Sequence, residues 1–178
     1  YILENFNSFS SNLGSASKWW LHKSLQNFNK NISENLIDNH NDEINFYEGN
    51  PKNVFLNLIN EINIKNVFWN RRYEPEAICR DTELKSYLKT QNINIETYNG
   101  KVLIEPWNIK GKQGQNLKVF TPYKKSLIAN HIIPKPIPIA KISKHFKLKT
   151  SLKLYELNLV SEKWMTKFEK IWKVGEKS

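Results

Sequence analysis

An α/β fold, a doubly wound and mainly parallel sheet with helices on both faces, is predicted by three observations. Short apolar runs alternate with longer segments of helical period. Turn and helix-start residues stand at the junctions: Gly14-Ser15, Asn50-Pro51, Pro75, Asn99-Gly100 and Thr121-Pro122. The 178 residues, 39% apolar and 12% aromatic, are enough for one such domain, or for one domain and part of another.

Tyr1–Leu3 reads as a short strand with a polar end at Glu4-Asn5. Phe6–Gly14, rich in Ser and Asn, reads as an exposed loop. A helix opens at Gly14-Ser15 and carries Trp19/Trp20, Leu21, Leu25, Phe28 and Ile32 at helical spacing. Two adjacent Trp cannot both face inward on a helix, so one of them is expected in a cleft or interface. Asn35–Glu43 is a polar and acidic surface excursion, and Ile44–Tyr47 the second strand. Asn50 and Pro51 supply a cap and a first-turn proline for a helix with Val54, Phe55, Leu58, Ile59 and Ile62 on one face. Lys65–Trp69 is the third strand, read as buried. Pro75–Thr90 is the next helix, with Ala77, Ile78, Leu84 and Leu88 as its inner stripe. Ile93–Tyr98 alternates as a fourth strand. Val102–Trp107 reads as a short buried strand, and Asn108–Asn116 as a Gly/Lys/Gln loop. Thr121-Pro122 reads as the start of a helix over Tyr123–Ala129.

The domain reading follows. Residues 1–130 form the α/β domain, residues 131–150 an extended Pro/Ile/Lys linker, and residues 151–178 the first elements of a further domain. The chain starts in a strand-like run without an initiator Met and stops just after an aromatic helical segment, so a piece of a longer protein is expected.

A net charge of +10 and a pI near 9.6 favour an anionic partner, with nucleic acid first and a membrane surface or anionic cofactor behind. A Lys-, Asn- and Ile-rich compositional bias is the alternative. Cys79 is the single cysteine, so no intrachain disulfide can form. No signal segment or membrane-length apolar run occurs, so a soluble cytoplasmic protein is expected. The four His are scattered, away from Cys or carboxylates at ligand spacing, which argues against a metal site. Dinucleotide, P-loop and nucleophile-elbow patterns do not occur.

The richest cluster is Asn70-Arg71-Arg72-Tyr73-Glu74, five hydrogen-bonding side chains in a row at a strand's carboxyl end, where open α/β sheets bind ligands. Glu74 is either a ligand-site acid or a helix cap paired with an Arg. Arg80-Asp81, further along the same helix, is either a wall of that pocket or a surface ion pair, and adjacent helical charges favour the surface. Lys18, beside Trp19-Trp20, could face the same crevice. Gly111-Lys112-Gln113-Gly114 has the G-x-x-G form of a KH RNA clamp, but that clamp needs a helix on each side. This one is flanked by strand-like runs.

Six motifs in order carry a family resemblance: G-S-A-S-K-W-W-L at 14–21, Y-E-G-N-P at 47–51, W-N-R-R-Y-E-P with R-D at 69–81, N-G-K-V-L-I-E-P-W at 99–107, K-V-F-T-P-Y at 118–123 and W…W-x-x-G-E at 164–176. Together they resemble the amino-terminal antenna-binding domain of the DNA photolyase/cryptochrome family, in the style of the bacterial class I (deoxyribodipyrimidine) photolyases, and they span nearly the whole chain.

The resemblance implies a Rossmann-like antenna domain and, in the full protein, a helical domain that holds FAD. It implies a flavoprotein lyase for DNA repair, a monomer acting on UV-damaged DNA, that splits cyclobutane pyrimidine dimers with light. The antenna chromophore would be methenyltetrahydrofolate, a deazaflavin or a flavin. A cryptochrome-like photoreceptor is the alternative. The family's first strand and its Arg-Asp-Leu-Arg turn are expected ahead of Tyr1, and the FAD domain beyond Ser178. Catalytic residues are therefore expected outside this chain, and it is expected to be inactive alone. Cofactor-binding residues carried over from deazaflavin-binding members are Glu74, Arg80 and Lys18, with Arg72 and Asp81 beside them. Arg72 stands where those members can carry an acid. Glu76-Ala77 does not reproduce the Asn-Glu pair of folate-binding members, so the pigment is left open.

Overall fold

The computed structural model describes residues 1–4, 13–35, 44–132, 135–142, 145–160 and 166–175. Most of the predicted loop at 6–14 and of the excursion at 35–43 lies outside the described residues, as does Trp164 of the last motif. The chain divides into two compact units, one made of residues 1–60 and 138–178, the other of residues 61–137. Both are β-α-β arrangements with parallel strands.

In the first unit β1 (Ile2–Leu3) pairs in parallel with β2 (Tyr47–Glu48), in the register Ile2 to Tyr47 and Leu3 to Glu48. Parallel neighbours need a long crossover. It runs through α1 (Ser15–Glu34), which starts at an extended Gly14 as predicted. Leu25 of α1 packs with Ile44, Phe46, Leu157 and Leu159 in the unit's core. Phe46 is fully buried, which at ~25 cal/mol per Å² makes its ring worth about 2–3 kcal/mol. Its backbone also bridges to Leu152 in antiparallel fashion, and its N–H donates to Ser151 Oγ at 3.0 Å. Leu157 and Leu159, in the 151–178 stretch read from sequence as the first elements of a further domain, thus supply core side chains to this unit. The adjacent tryptophans divide as expected. Trp19 is buried against Phe168, whereas Trp20 is half exposed and meets Trp172 edge-on. Phe168 lies in α5 (Thr166–Glu169). α2 (Pro51–Glu61) begins at Pro51, with Asn50 Oδ1 accepting the Lys52 N–H at 2.9 Å.

In the second unit β3 (Asn66–Asn70) and β4 (Asn94–Tyr98) pair in parallel along their whole length, from Asn66–Asn94 to Asn70–Tyr98. Between them runs α3 (Pro75–Thr90), with the predicted bounds. α3 buries Ala77, Asp81, Leu84 and Leu88, steps of four, three and four that keep one helical face. Ile78 falls off that face and is 51% exposed, so Asp81 replaces it in the predicted stripe.

Two further expectations are corrected. The third strand is buried on one face only: Val67 is inside and Phe68 is 57% exposed, with its ring 6.4 Å from that of Tyr98. Alternate residues of a strand point to opposite faces. Val102–Trp107 is not a buried strand. Leu103 and Trp107 are about half exposed, Pro106–Asn108 is a 3-10 turn, and the most buried residue of the run is its one acid, Glu105. The last helix of the unit, α4 (Phe120–Asn130), starts before the expected Thr121 cap, and Pro122 sits in its first turn where no N–H partner is required.

Candidate functional site

β3 ends at Asn70, and α3 opens at Pro75, so Arg71–Glu74 is a short elbow at the carboxyl ends of two parallel strands. The elbow sorts its side chains into two groups at alternate positions. Arg71 and Tyr73 converge on Glu105, whereas Arg72 and Glu74 pair with each other.

The Arg71 group is structural in character. Arg71 N–H donates to the Tyr98 carbonyl at 2.8 Å, and its guanidinium donates to the Thr97 carbonyl and to Glu105 Oε1 (Nε at 2.9 Å). Tyr73 donates its hydroxyl to Glu105 Oε2 at 2.7 Å, and its ring lies 6.0 Å from that of Trp107. Both carboxylate oxygens are therefore occupied by charge-assisted or hydroxyl bonds. The hydrogen bond to Glu105 raises the Arg71 pKa above its ordinary value. Burial, reinforced by that donation, raises that of Tyr73. The sequence reading missed Arg71, Tyr73 and Glu105 as a unit. A usable signal was there: Glu105 is a lone acid in an otherwise apolar run, and a buried acid needs a partner.

The Glu74 group faces solvent. Glu74 stands at the N-cap of α3 but makes no side-chain cap bond. Instead it accepts from Lys101 Nζ at 2.7 Å, from Arg72 at 3.4 Å and from the Tyr73 N–H at 3.1 Å. The Lys101 bond chiefly, then a backbone N–H and Arg72, hold its carboxyl down at about 2. Nearly half of the side chain is exposed, so an approaching ligand can reach it. Lys101, a partner that sequence spacing did not indicate, is brought in by the turn at Asn99-Gly100. That turn is tight: a Cβ on Gly100 would lie 2.3 Å from the Asn70 side chain.

Arg80 and Asp81 do pair, and the surface reading of that pair is corrected. Their side chains are only 14% and 12% exposed. Asp81 Oδ1 accepts from Arg80 Nε at 2.8 Å, and Oδ2 accepts from Trp69 Nε1 at 3.2 Å. Asp81 therefore ties α3 to β3 from inside the unit. Lys85 lies over the Trp69 ring at 5.7 Å, within cation–π range. Lys18 belongs to the other unit, in the first turn of α1, where its N–H donates to the Gly14 carbonyl. The second unit thus brings together Arg72 and Glu74, and separately Arg80 and Asp81.

The sequence model of the DNA photolyase family matches residues 1–141. The chain belongs to the DNA photolyase family. A crystal structure of a bacterial class III photolyase from Agrobacterium tumefaciens superposes with a TM-score of 0.84 at 28% identity, covering 99% of this chain and 36% of that one. The structural relative is thus class III, not the class I style read from the motifs. The deoxyribodipyrimidine photo-lyase of Agrobacterium fabrum is 27% identical over 170 residues, 92% of this chain and 34% of its own length. Cryptochrome-2 of Arabidopsis thaliana is 28% identical over 158 residues, 84% of this chain and 24% of its own length. The chain therefore spans about a third or less of these photolyase and cryptochrome relatives. Among the described residues of this photolyase-family chain, no helix is long and apolar enough to cross a membrane.

Proposed function

We propose that this chain is the antenna-chromophore domain of a light-dependent DNA repair enzyme that splits cyclobutane pyrimidine dimers in UV-damaged DNA. The observation that carries the reading is the near-complete coverage of the chain by a photolyase structure three times its length. FAD would then be held outside these residues, and the chain by itself would not repair DNA. A cytoplasmic monomer is the matching cellular form.

The residues suit an antenna site at the strand-end elbow. Glu74, Arg72 and Lys101 offer an anion and two cations within one exposed cluster, able to meet the polar edge of a heteroaromatic pigment. Arg80 and Asp81 satisfy each other and Trp69, so their role in the site is to hold α3 and β3 in place. Bound there, a folate, deazaflavin or flavin would supply light absorption and excitation transfer to FAD; the chain's own residues bind and orient.

The test is expression of the full-length gene in a repair-deficient host, with UV survival scored in light and in darkness. Light-dependent rescue is expected. Absence of rescue by a protein that binds FAD would favour a cryptochrome-like photoreceptor. Repair by the purified 178-residue chain would refute the placement of the chemistry elsewhere.

A further inference from the structure

The G-x-x-G motif has no role in the photolyase reading, and it lies within the most positively charged stretch of the chain. Lys110 bridges to Asn116 in antiparallel fashion, and Gly111–Gly114 forms the turn of a hairpin, closed by Gly111 N–H to Gln115 O and Gly114 N–H to Gly111 O, both at 2.9 Å. Gly114 takes a φ of +79°, which favours glycine. The hairpin is fixed at its base by buried Ile109 and by Ser126 Oγ of α4, which donates to the Lys110 carbonyl at 2.8 Å. Between hairpin and α4 lies a cleft of about 740 Å³.

Lys110, Lys112 and Lys125 line this cleft together with Leu117, Pro122 and Ala129, and among the described residues no acid lines it. Lys110 is bound to Asn116 Oδ1. Lys112 and Lys125 make no hydrogen bond or ion pair among the described residues. The absence of acids extends along the sequence. Pro106–Tyr155 holds eleven Lys and no Asp or Glu, whereas the rest of the chain has sixteen Lys and Arg against seventeen acids. The whole net charge of the protein thus resides in this stretch, and a uniform compositional bias would not concentrate it there.

We propose that the cleft between the 110–116 hairpin and α4 binds a phosphorylated small molecule of nucleotide size. Its phosphates would meet the exposed ammonium groups of Lys112 and Lys125. Its organic body would lie against Leu117, Pro122 and Ala129. The volume supports an organic body: ligand pockets run roughly 300–1,000 Å³, mostly apolar with a few placed polar groups. Gly114 has open space where a Cβ would stand, which leaves the hairpin backbone accessible to a phosphate, whereas Gly111 is packed by the Gln115 side chain.

Binding of ATP, without magnesium, to the 178-residue chain is followed by calorimetry and by NMR shifts of the 110–130 amides. Saturable one-site binding is expected, weaker with inorganic tripolyphosphate, and reduced about tenfold or more by K112E/K125E. Both lysines are exposed, so that variant keeps its fold by circular dichroism. The charge-matched control K65E/K89E should stay within about twofold. No saturable binding at about 1 mM ATP, an equal loss in the control, or tripolyphosphate binding as tightly as ATP would each overturn the proposal. So would a dT oligonucleotide that binds more tightly than ATP and is lost in K112E/K125E, which would assign the cleft to nucleic-acid backbone.

Discussion

Glu105→Ala removes the acceptor on which Arg71 and Tyr73 converge, and the structure sets the size of the loss. Glu105 is 9% exposed and accepts from two side chains that both reach back from the elbow. Truncating one member of a fully buried ion pair costs about 3–5 kcal/mol. Here Arg71 keeps 30% of its side chain in solvent and retains the Thr97 carbonyl as an acceptor, so its share is smaller. The orphaned Tyr73 hydroxyl adds about 1 kcal/mol. The sum is about 2–3 kcal/mol. The assay is urea unfolding followed by circular dichroism and tryptophan fluorescence, with the slope checked for constancy. A double-mutant cycle with Tyr73→Phe should return a coupling of about 1 kcal/mol. A loss below about 0.5 kcal/mol, or a coupling of zero, would refute the claim that this acid holds the elbow.

Other perturbations follow from the same geometry. Leu88→Ala, at a fully buried position, should cost about 2–5 kcal/mol, whereas Ile78→Ser on the same helix should stay within about 0.5 kcal/mol; equal costs would invalidate the assigned helix face. Asp81→Ala strands Trp69 Nε1 and removes the carboxylate that Arg80 donates to, and a loss of about 1–3 kcal/mol is expected in the same urea assay. The Glu74 carboxyl, held at about 2 against a reference of 4.5, contributes stability that is present above about pH 4.5 and lost as pH falls towards 2. Because that side chain is 46% exposed, the contribution is under about 1 kcal/mol. A carboxyl NMR titration should show Lys101→Met moving the Glu74 midpoint upward, and an unmoved midpoint would contradict the assignment of Lys101 as its main partner.

Periodicity and turn chemistry carried the starts of α1, α2 and α3, because each has a local cause in a Gly, Asn or Pro at the junction. They carried α3 to its last residue and the parallel β-α-β rhythm. Burial was less legible. The period-two face of β3 depends on what covers it, so Phe68 could not be sorted from Val67 and Trp69 by apolarity alone. Ile78 misled for the converse reason, since an apolar side chain one position off the stripe is no worse on the surface than many others. Asp81 is inside because Trp69 and Arg80 satisfy it, and those partners come from tertiary structure. In the site, Glu74 and Arg72 were visible as neighbours in sequence, whereas Lys101 and Glu105 lie about thirty residues further on and are joined to the elbow only through the β3–β4 register.

The division of the elbow matters for what can be tested about the photolyase reading. A residue that already spends its hydrogen-bonding capacity inside the unit cannot meet a pigment without first losing stability, and Arg71, Tyr73, Glu105 and Asp81 are of that kind. Arg72 and Lys101 both bind Glu74 at the surface, where exchanging one partner for a ligand costs little. Variants of the two groups should therefore separate. Glu74→Gln should leave urea stability within about 0.5 kcal/mol and lower antenna occupancy of the full-length protein. Glu105→Ala should lower both, occupancy falling only as the elbow loosens. If Glu74→Gln leaves occupancy unchanged while Glu105→Ala abolishes it at temperatures where the unit is still folded, the ligand lies on the Arg71 side of the elbow. The surface cluster is then a helix-start ion pair and no more.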